Sequence, residues 1–334
     1  MKRVLVLYNL AEKLEKGVLS DLVCEQEITI IVPLVAELLS KRGYCVEILK
    51  ADLDLWEVLK KRRKDFDIVF NLAEGFGGAN SNEVFVPALL EALRIPFTGA
   101  SLHNFVLTHD KAKANIVLNA RGVPTPRHNV FYSGQEVVLK GLHFPLIVKP
   151  LYEGASIGIT YDSVVFNYND LASRVRNVVS VYRQPALVEE FIEGREISVG
   201  CIGNRPNVQL FPPLEFVFSD STPVIRRIRS YEYKWGGGKE AMTRADLPKD
   251  LISLFLKYTR TAFLATDCQD YARMDYRLSK NGQIFLLEVN CNPGIGPNSH
   301  GLNNTLTMMA NYAGYSFEDF IEKILIVAQE RYGL

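Results

Sequence analysis

The chain is 334 residues long, more than one hydrophobic core of roughly 100–200 residues usually serves, so two or three domains are expected. Its 38 Lys+Arg balance 38 Asp+Glu, with 48% hydrophobic and 23% charged residues. This is folded-protein composition, and zero net charge gives no general pull toward nucleic acid or an anionic membrane. Cys24, Cys45, Cys201, Cys268 and Cys291 are odd in number and lack CxxC spacing, which suggests neither a disulfide framework nor a zinc site and fits a reducing cytoplasm. No apolar run approaches the ~18 residues of a membrane span, and the N-terminal apolar stretch is too short for a signal-peptide core. A soluble, cytoplasmic protein with neither a nucleic-acid nor a membrane partner is expected.

In chain order, residues 4–8 predict a buried strand, and 27–42 place Ile28, Ile31, Val35, Leu38 and Leu39 on one helical face, closed by Gly43. Strands are predicted at 45–49 and 66–70 around a helix over 53–61, then a helix over 83–93 and a strand at 95–98. Such alternation predicts an α/β, doubly wound parallel-sheet unit over roughly residues 1–105. The first turn, Asn9-Leu10-Ala11-Glu12-Lys13, has no GxGxxG, which argues against nicotinamide chemistry. Gly238-Lys239 is followed by Glu240 rather than the Ser or Thr of a Walker A loop. Lys60-Lys61-Arg62-Arg63-Lys64 reads as a solvated helix end. A helix over 110–120 leads into Val123-Pro124-Thr125-Pro126, a rigid connector. The chain then divides into an N-terminal domain over 1–108, a central subdomain over 109–193 and a C-terminal subdomain over 194–334.

Residues 145–150 form a strand ending on Lys149-Pro150, followed by Glu153-Gly154-Ala155-Ser156-Ile157-Gly158. A lysine beside a small-residue loop suits phosphate, the ammonium supplying charge while loop N–H groups and the Ser156 hydroxyl follow the oxygens. The alternative is a lysine that snorkels to the surface. Another strand over 186–188 runs into Glu189-Glu190-Phe191-Ile192-Glu193-Gly194-Arg195-Glu196. This stretch offers backbone to an adenine edge and carboxylates to a ribose, or else forms a solvated acidic turn.

Residues 271–290 predict a β-hairpin, because two apolar-alternating runs flank Ser279-Lys280-Asn281-Gly282. With Asn281-Gly282 as a two-residue turn, Lys280 faces Gln283, and counting outward pairs Asp275 with Glu288 and Arg273 with Asn290 on one face. Facing carboxylates repel unless a cation or proton joins them, and the all-oxygen set Asp275, Glu288 and Asn290 points to magnesium or manganese. A bulge would change this register.

These pieces, with Glu25-Gln26-Glu27-Ile28, Pro87-Ala88-Leu89-Leu90-Glu91, Ile95-Pro96-Phe97-Thr98-Gly99, Asp110-Lys111, Arg273-Met274-Asp275, Leu287-Glu288-Val289-Asn290 and Pro293-Gly294, resemble the D-alanine:D-alanine ligase family of the ATP-grasp superfamily over nearly the whole chain. The resemblance implies an ATP-grasp fold behind the N-terminal parallel-sheet domain. It also implies an ATP-dependent carboxylate–amine ligase that joins a small amino acid to an amine acceptor through an acyl phosphate, releasing ADP and phosphate. ATP would lie between the central and C-terminal subdomains, with Lys111 and Lys149 on phosphates, Glu189 and the backbone of Glu190, Phe191 and Ile192 at adenine, and Glu196 at ribose. Asp275, Glu288 and Asn290 would hold two Mg2+ ions, or Mn2+. The resemblance gives Glu25 the first amino acid's ammonium, Arg273 and the Gly294 N–H the tetrahedral intermediate, Ser156 and Lys234 places in the catalytic set, and Ser299 the acceptor's carboxylate. A homodimer is implied as well. The chain departs from the family pattern at Ala155, Trp235 and Cys291 and over residues 295–300, with an apparent insertion over 301–307; Gly236-Gly237-Gly238 reads as a lid hinge. Besides a working ligase, a non-catalytic ATP-binding protein that kept the nucleotide site fits the motifs.

Overall fold

The computed structural model describes residues 2–12, 14–22, 27–79, 81–135, 137–236, 241–297 and 305–334. Strands β1 (Arg3–Tyr8), β2 (Cys45–Lys50) and β3 (Ile68–Asn71) form a parallel sheet in the order β2-β1-β3. Alternation along β1 explains why both of its faces are covered. Val4 and Val6 enter a core shared with α1 (Ile28–Lys41), while Leu5 and Leu7 enter one shared with α2 (Leu55–Arg62) and α3 (Phe85–Ala92). The doubly wound parallel unit read from the sequence is present. Its last predicted strand, 95–98, reduces to an isolated bridge between Val69 and Phe97. Pro96 has no N–H to give, so the contact is limited to Val69 N–H donating to Pro96 O at 2.8 Å and Thr98 N–H donating to Val69 O at 2.9 Å.

Helices α4 (Leu102–His109) and α5 (Lys111–Ala120) meet at Asp110, whose carboxylate accepts from Lys113 N–H at 3.0 Å and so caps α5. A second sheet follows in the order β4-β7-β5-β6, built from β4 (His128–Phe131), β5 (Leu146–Pro150), β6 (Val164–Val165) and β7 (Ala186–Glu190), with antiparallel neighbours. Helix α6 (Tyr168–Tyr182) buries Leu171, Val175 and Val178 against it.

The third sheet begins with β8 (Gly194–Asn204), β9 (Asn207–Leu210), β10 (Leu214–Val217) and β11 (Ala241–Arg244), and is completed by β12 (Tyr271–Ser279) and β13 (Ile284–Asn290). Its path is β11-β10-β8-β12-β13, with β9 on the far end of β8. The short helix α7 (Tyr231–Trp235) lies between β10 and β11, and α8 (Lys249–Ala265) covers one face of the sheet. Helices α9 (Thr305–Tyr312) and α10 (Phe317–Tyr332) cover the other. Leu306, Phe320, Ile321 and Ile324 from these helices share one core with Val4, Val6, Ile68 and Phe70 of the first sheet, so the N-terminal unit is bound to the C-terminal one by apolar burial.

A buried ionic knot sits at the same boundary. Asp270, fully buried, accepts from Gly99 N–H and Asn204 Nδ2 at 2.8 Å each, and from Arg331 Nε and Nη2 at 3.0 and 2.7 Å. Arg331 also donates to Phe97 O at 2.7 Å. Removing one member leaves the other charge largely desolvated and unpaired, a loss of about 3–5 kcal/mol for such pairs. Asp270→Ala is therefore expected to lower the free energy of unfolding in urea by about that amount; a change under ~1 kcal/mol would show that the knot is peripheral.

Candidate active site

The chain crosses from the second sheet to the third through residues 191–193, between β7 and β8. Beneath that crossing lies a cavity of about 110 Å³ whose walls include Lys111, Lys149, Glu196, Asp275 and Glu288. A second cavity of about 170 Å³, walled by Glu27, Glu74, Lys234, Arg273, Asn290 and Gly294, adjoins it. Lys111, Glu153, Lys234, Arg273 and Glu288 line both.

Both side-chain pairs expected of the hairpin occur, Asp275 opposite Glu288 and Arg273 opposite Asn290, but the strands reach them by another route. The turn has three residues, Lys280-Asn281-Gly282, because Ser279 N–H donates to Gln283 O at 2.8 Å and Gly282 takes the left-handed φ of 78°. That choice shifts Leu278 onto Ile284 and Tyr276 onto Leu286. A bulge at Leu287 then restores the register between Tyr276 and Asp275. Two departures from the simple turn cancel at the residues that matter.

Each facing carboxylate has its own cation. Arg273 grips Asp275 through Nε and Nη2 at 2.9 Å each, Ser198 Oγ donates at 2.5 Å and Asn290 Nδ2 at 2.8 Å. Burial pushes the Asp275 carboxyl up, but the Arg273 guanidinium, with Arg229 and the Ser198 hydroxyl, outweighs this and holds it below the usual carboxylate range. Glu288 lies 2.9 Å from Lys111 Nζ, which also donates to Glu153 O. The like-charge opposition is thus neutralised inside the fold.

Lys149 does not snorkel. It is buried, with Nζ 2.6 Å from Glu189, and Asn115 Nδ2 donates to the other Glu189 oxygen at 3.2 Å. Glu196 is buried, accepting on Oε2 from Arg277 Nη2 at 2.8 Å and from Arg229 N–H at 3.3 Å. Burial raises its carboxyl pKa, with Arg277 and Arg229 opposing the rise. Of the N–H groups expected at an adenine edge, that of Glu190 donates to Arg127 O and that of Phe191 to Pro145 O, both at 3.0 Å. Among the described residues, Ile192 N–H is left for a ligand. The Glu190 side chain turns to Arg127, which it meets at 2.9 and 2.5 Å.

The loop after β5 is a tight turn with Ala155 at φ 50° and Ser156 at φ 65°, closed by Ile157 N–H donating to Gly154 O at 2.9 Å. Left-handed backbone costs a side-chain-bearing residue about 1–2 kcal/mol, and neighbouring elements hold it there. Ser156 Oγ, expected to follow phosphate oxygens, donates to Arg229 O at 2.7 Å, and Trp235 Nε1 donates to Ala155 O at 3.1 Å. Lys234 lies over the Trp235 ring, 4.6 Å from its centroid. Trp235 therefore fastens the α7 segment directly to the loop, and Ser156 is a loop anchor.

Glu25, Ser299, Gly237 and Gly238 lie outside the described residues. Arg273, Lys234 and Gly294 stand on the second cavity, and a Cβ at Gly294 would meet nothing within 4 Å. Sequence reasoning missed Arg277, although period-two alternation puts it on the Arg273 and Asp275 face of β12. It also missed Glu74, which follows β3 with no motif to mark it, Ser198, which reaches Asp275 only through pairing of β8 with β12, and Arg229, which meets Glu196 and Ser156 from the segment before α7.

No group of three or more His, Cys, Asp and Glu side chains suited to a metal occurs among the described residues. Two carboxylates and an amide nevertheless form an all-oxygen set that fits a hard divalent cation.

A cleft between two antiparallel sheets, lined by two buried lysines and closed by an acidic hairpin, defines an ATP-grasp enzyme. The family model described as D-ala D-ala ligase C-terminus matches residues 119–326. A D-alanine--D-alanine ligase of Carboxydothermus hydrogenoformans is 30% identical over 302 residues, 87% of this chain and 90% of that one. An uncharacterized protein of Sinorhizobium fredii is 36% identical over 268 residues, 79% of this chain and 75% of its own length. The crystal structure of D-alanine--D-alanine ligase from Bacillus anthracis complexed with ATP shares the fold, with a TM-score of 0.77 at 20% identity over 100% of this chain and 99% of that one. The chain belongs to the D-alanine--D-alanine ligase family, and it is an ATP-dependent ligase that forms C–N bonds. The comparisons give no support to the non-catalytic alternative.

His109 stacks on Tyr152, centroids 5.9 Å apart and planes 5° from parallel. Burial, with Lys111 and Lys16, pushes its imidazole down to about 4. The folded state thus binds fewer protons than the unfolded one between that value and the ordinary 6.5, so His109 takes stability away as pH falls through this window and none above it. His109→Gln is expected to flatten the loss of unfolding free energy between pH 6.5 and 4, by up to roughly 3 kcal/mol. Parallel urea titrations of both proteins check this; identical slopes would contradict it.

Proposed function

We propose that this ligase phosphorylates the carboxylate of a small amino acid and couples the acyl phosphate to an amine acceptor, with ATP in the cavity between the second and third sheets and the amino acids in the adjoining one. The observation that carries the reading is the in-register opposition of Asp275 and Glu288, with Arg273 and Lys111 beside them where the cavities meet. A carboxylate resists amine attack because oxide is a poor leaving group, and phosphorylation supplies a better one. Phosphoryl transfer asks chiefly for positioning and charge neutralisation.

Lys111 and Lys149 would bind phosphate oxygens, each leaving its present carboxylate partner. Ile192 N–H would meet the adenine edge and Glu196 Oε1 a ribose hydroxyl. Asp275, Glu288 and Asn290 would hold magnesium, which when bound neutralises the transferring phosphates. Arg273 and Gly294 N–H, both on the amino-acid side, would steady the oxyanion formed when the amine adds. Trp235, fastened to Ala155, would hold the α7 segment over the loop and keep water from the acyl phosphate. Glu25 would take the donor's ammonium and Ser299 the acceptor's carboxylate. We place the reaction in the cytoplasm, where ATP is available, and expect a homodimer.

Incubation with ATP, magnesium and a panel of D- and L-amino acids, D-alanine first because relatives are named for it, is expected to release phosphate with at least one pair. No amino-acid-dependent release from any pair would overturn the proposal. Glu288→Gln is expected to cut turnover about 100-fold or more, in the range seen when one charge-stabilising group is lost. Lys149→Ala is expected to raise the KM for ATP at least ~10-fold, equivalent to the 1.4 kcal/mol or more that a charged hydrogen bond supplies. Unchanged kinetics in either variant would remove that residue from the site.

A further inference from the structure

Glu74 has no part in the scheme above, yet it is held more firmly than a surface glutamate needs to be. It follows β3 at the carboxyl end of the parallel sheet, the edge at which open α/β sheets place ligands. On its N-terminal side, Asn71 Oδ1 accepts from Ala73 N–H at 3.2 Å, and Asn71 N–H donates to Thr98 Oγ1 at 3.0 Å. On its C-terminal side, Asn9 from the end of β1 ties down the loop, donating through Nδ2 to Ala79 O at 2.9 Å and accepting from Gly78 N–H at 3.2 Å. Gly75 is packed so closely that a Cβ there would lie 2.4 Å from Ala79 O. The backbone is fixed on both sides, and the side chain, open to solvent, lines the amino-acid cavity with Arg273 and Gly294.

Coupling needs something that the phosphate-binding cations and the oxygen ligands do not supply. An amino acid's amine arrives as ammonium and must lose a proton before it can attack. Around this cavity, Glu153 is paired with Lys16 at 2.5 Å and Glu288 with Lys111 at 2.9 Å. His109, held down near 4, is a weak base. Glu27 and Glu83 complete the acidic wall, while Lys234 and Arg273 supply its positive charge.

Building on the ligase reading above, we propose that Glu74 is the general base of the coupling step, accepting a proton from the acceptor's ammonium so that the free amine attacks the acyl phosphate. The carboxylate becomes a carboxylic acid as ammonium becomes amine. The nitrogen lone pair then forms the C–N bond, the C–O bond to phosphorus breaks, and phosphate leaves with the electron pair. The second nitrogen proton goes to the departing phosphate, giving amide and hydrogen phosphate, and Glu74 returns its proton to the solvent-filled cavity. Lys234 and Arg273 favour the ionised Glu74 carboxylate and Glu27 opposes them, so a carboxylate able to accept a proton stands on the amino-acid cavity.

The test uses two acceptors on the full-length enzyme. Hydroxylamine is already a free base at neutral pH and traps the acyl phosphate as a hydroxamate without help, whereas an amino acid acceptor must be deprotonated. Glu74→Gln is expected to lower kcat for the amino acid acceptor about 100-fold or more, the usual share of a general base, while hydroxamate formation stays within about twofold of wild type. Glu74→Asp should regain part of the loss. The acidic limb of the wild-type pH profile for the amino acid acceptor should vanish in Glu74→Gln. Equal loss with both acceptors, or no loss with either, would overturn the proposal. So would a loss specific to the amino acid in Glu27→Gln but absent from Glu74→Gln. Failure of the wild-type enzyme to form hydroxamate with any donor would instead sink the ligase reading on which the proposal rests.

Discussion

Two carboxylates directly across from each other on neighbouring strands are the constraint around which this molecule is arranged. Asp275 and Glu288 repel at that spacing, and the fold answers with a guanidinium against one and an ammonium against the other. Arg273 comes from the same strand as Asp275, two residues away on the same face. Lys111 comes from the first turn of α5, outside the sheet. Its reach to Glu288 ties that helix to the hairpin and helps to set the width of the cleft.

The same economy extends to the nucleotide side. Lys149 and Glu189, and Arg277 and Glu196, are buried ion pairs within one cavity. Such pairs recover little net stability, because desolvation offsets their attraction, but losing one partner is costly. Their value here is positional: charges that would bind phosphate or ribose are held in place by partners a ligand can replace. Asp275 remains charged despite burial because Arg273 outweighs desolvation. The strained turn at Ala155 and Ser156 belongs to the same design, since Arg229 O and Trp235 Nε1 hold it from opposite ends of the α7 segment.

Much of this was legible in the sequence because period and chemistry agreed. Alternation of strands with helices over the first hundred residues predicts the parallel sheet, and the acidic face of the hairpin follows from period two even though the assumed turn is one residue too short. The hairpin reading was right in its pairs and wrong in its path, for nothing in Ile284-Phe285-Leu286-Leu287 announces a bulge. Lys149 was found through its loop, but its partner Glu189 was assigned to adenine, because ion pairing across strands is a tertiary fact. Ser156, expected at phosphate, donates to Arg229 O here. Glu74 carries no motif: its meaning comes from a cavity whose far walls, Arg273 and Gly294, come from another domain of the chain.

The central claim is that the Asp275 and Glu288 oxygens receive a divalent ion in place of their present cations. Crystals grown with a non-hydrolysable ATP analogue and manganese, measured at the manganese absorption edge, test it most directly. The account predicts anomalous density among Asp275, Glu288 and Asn290, with Lys111 turned onto phosphate. Density elsewhere, or carboxylates still closed on Arg273 and Lys111 beside bound nucleotide, would contradict it.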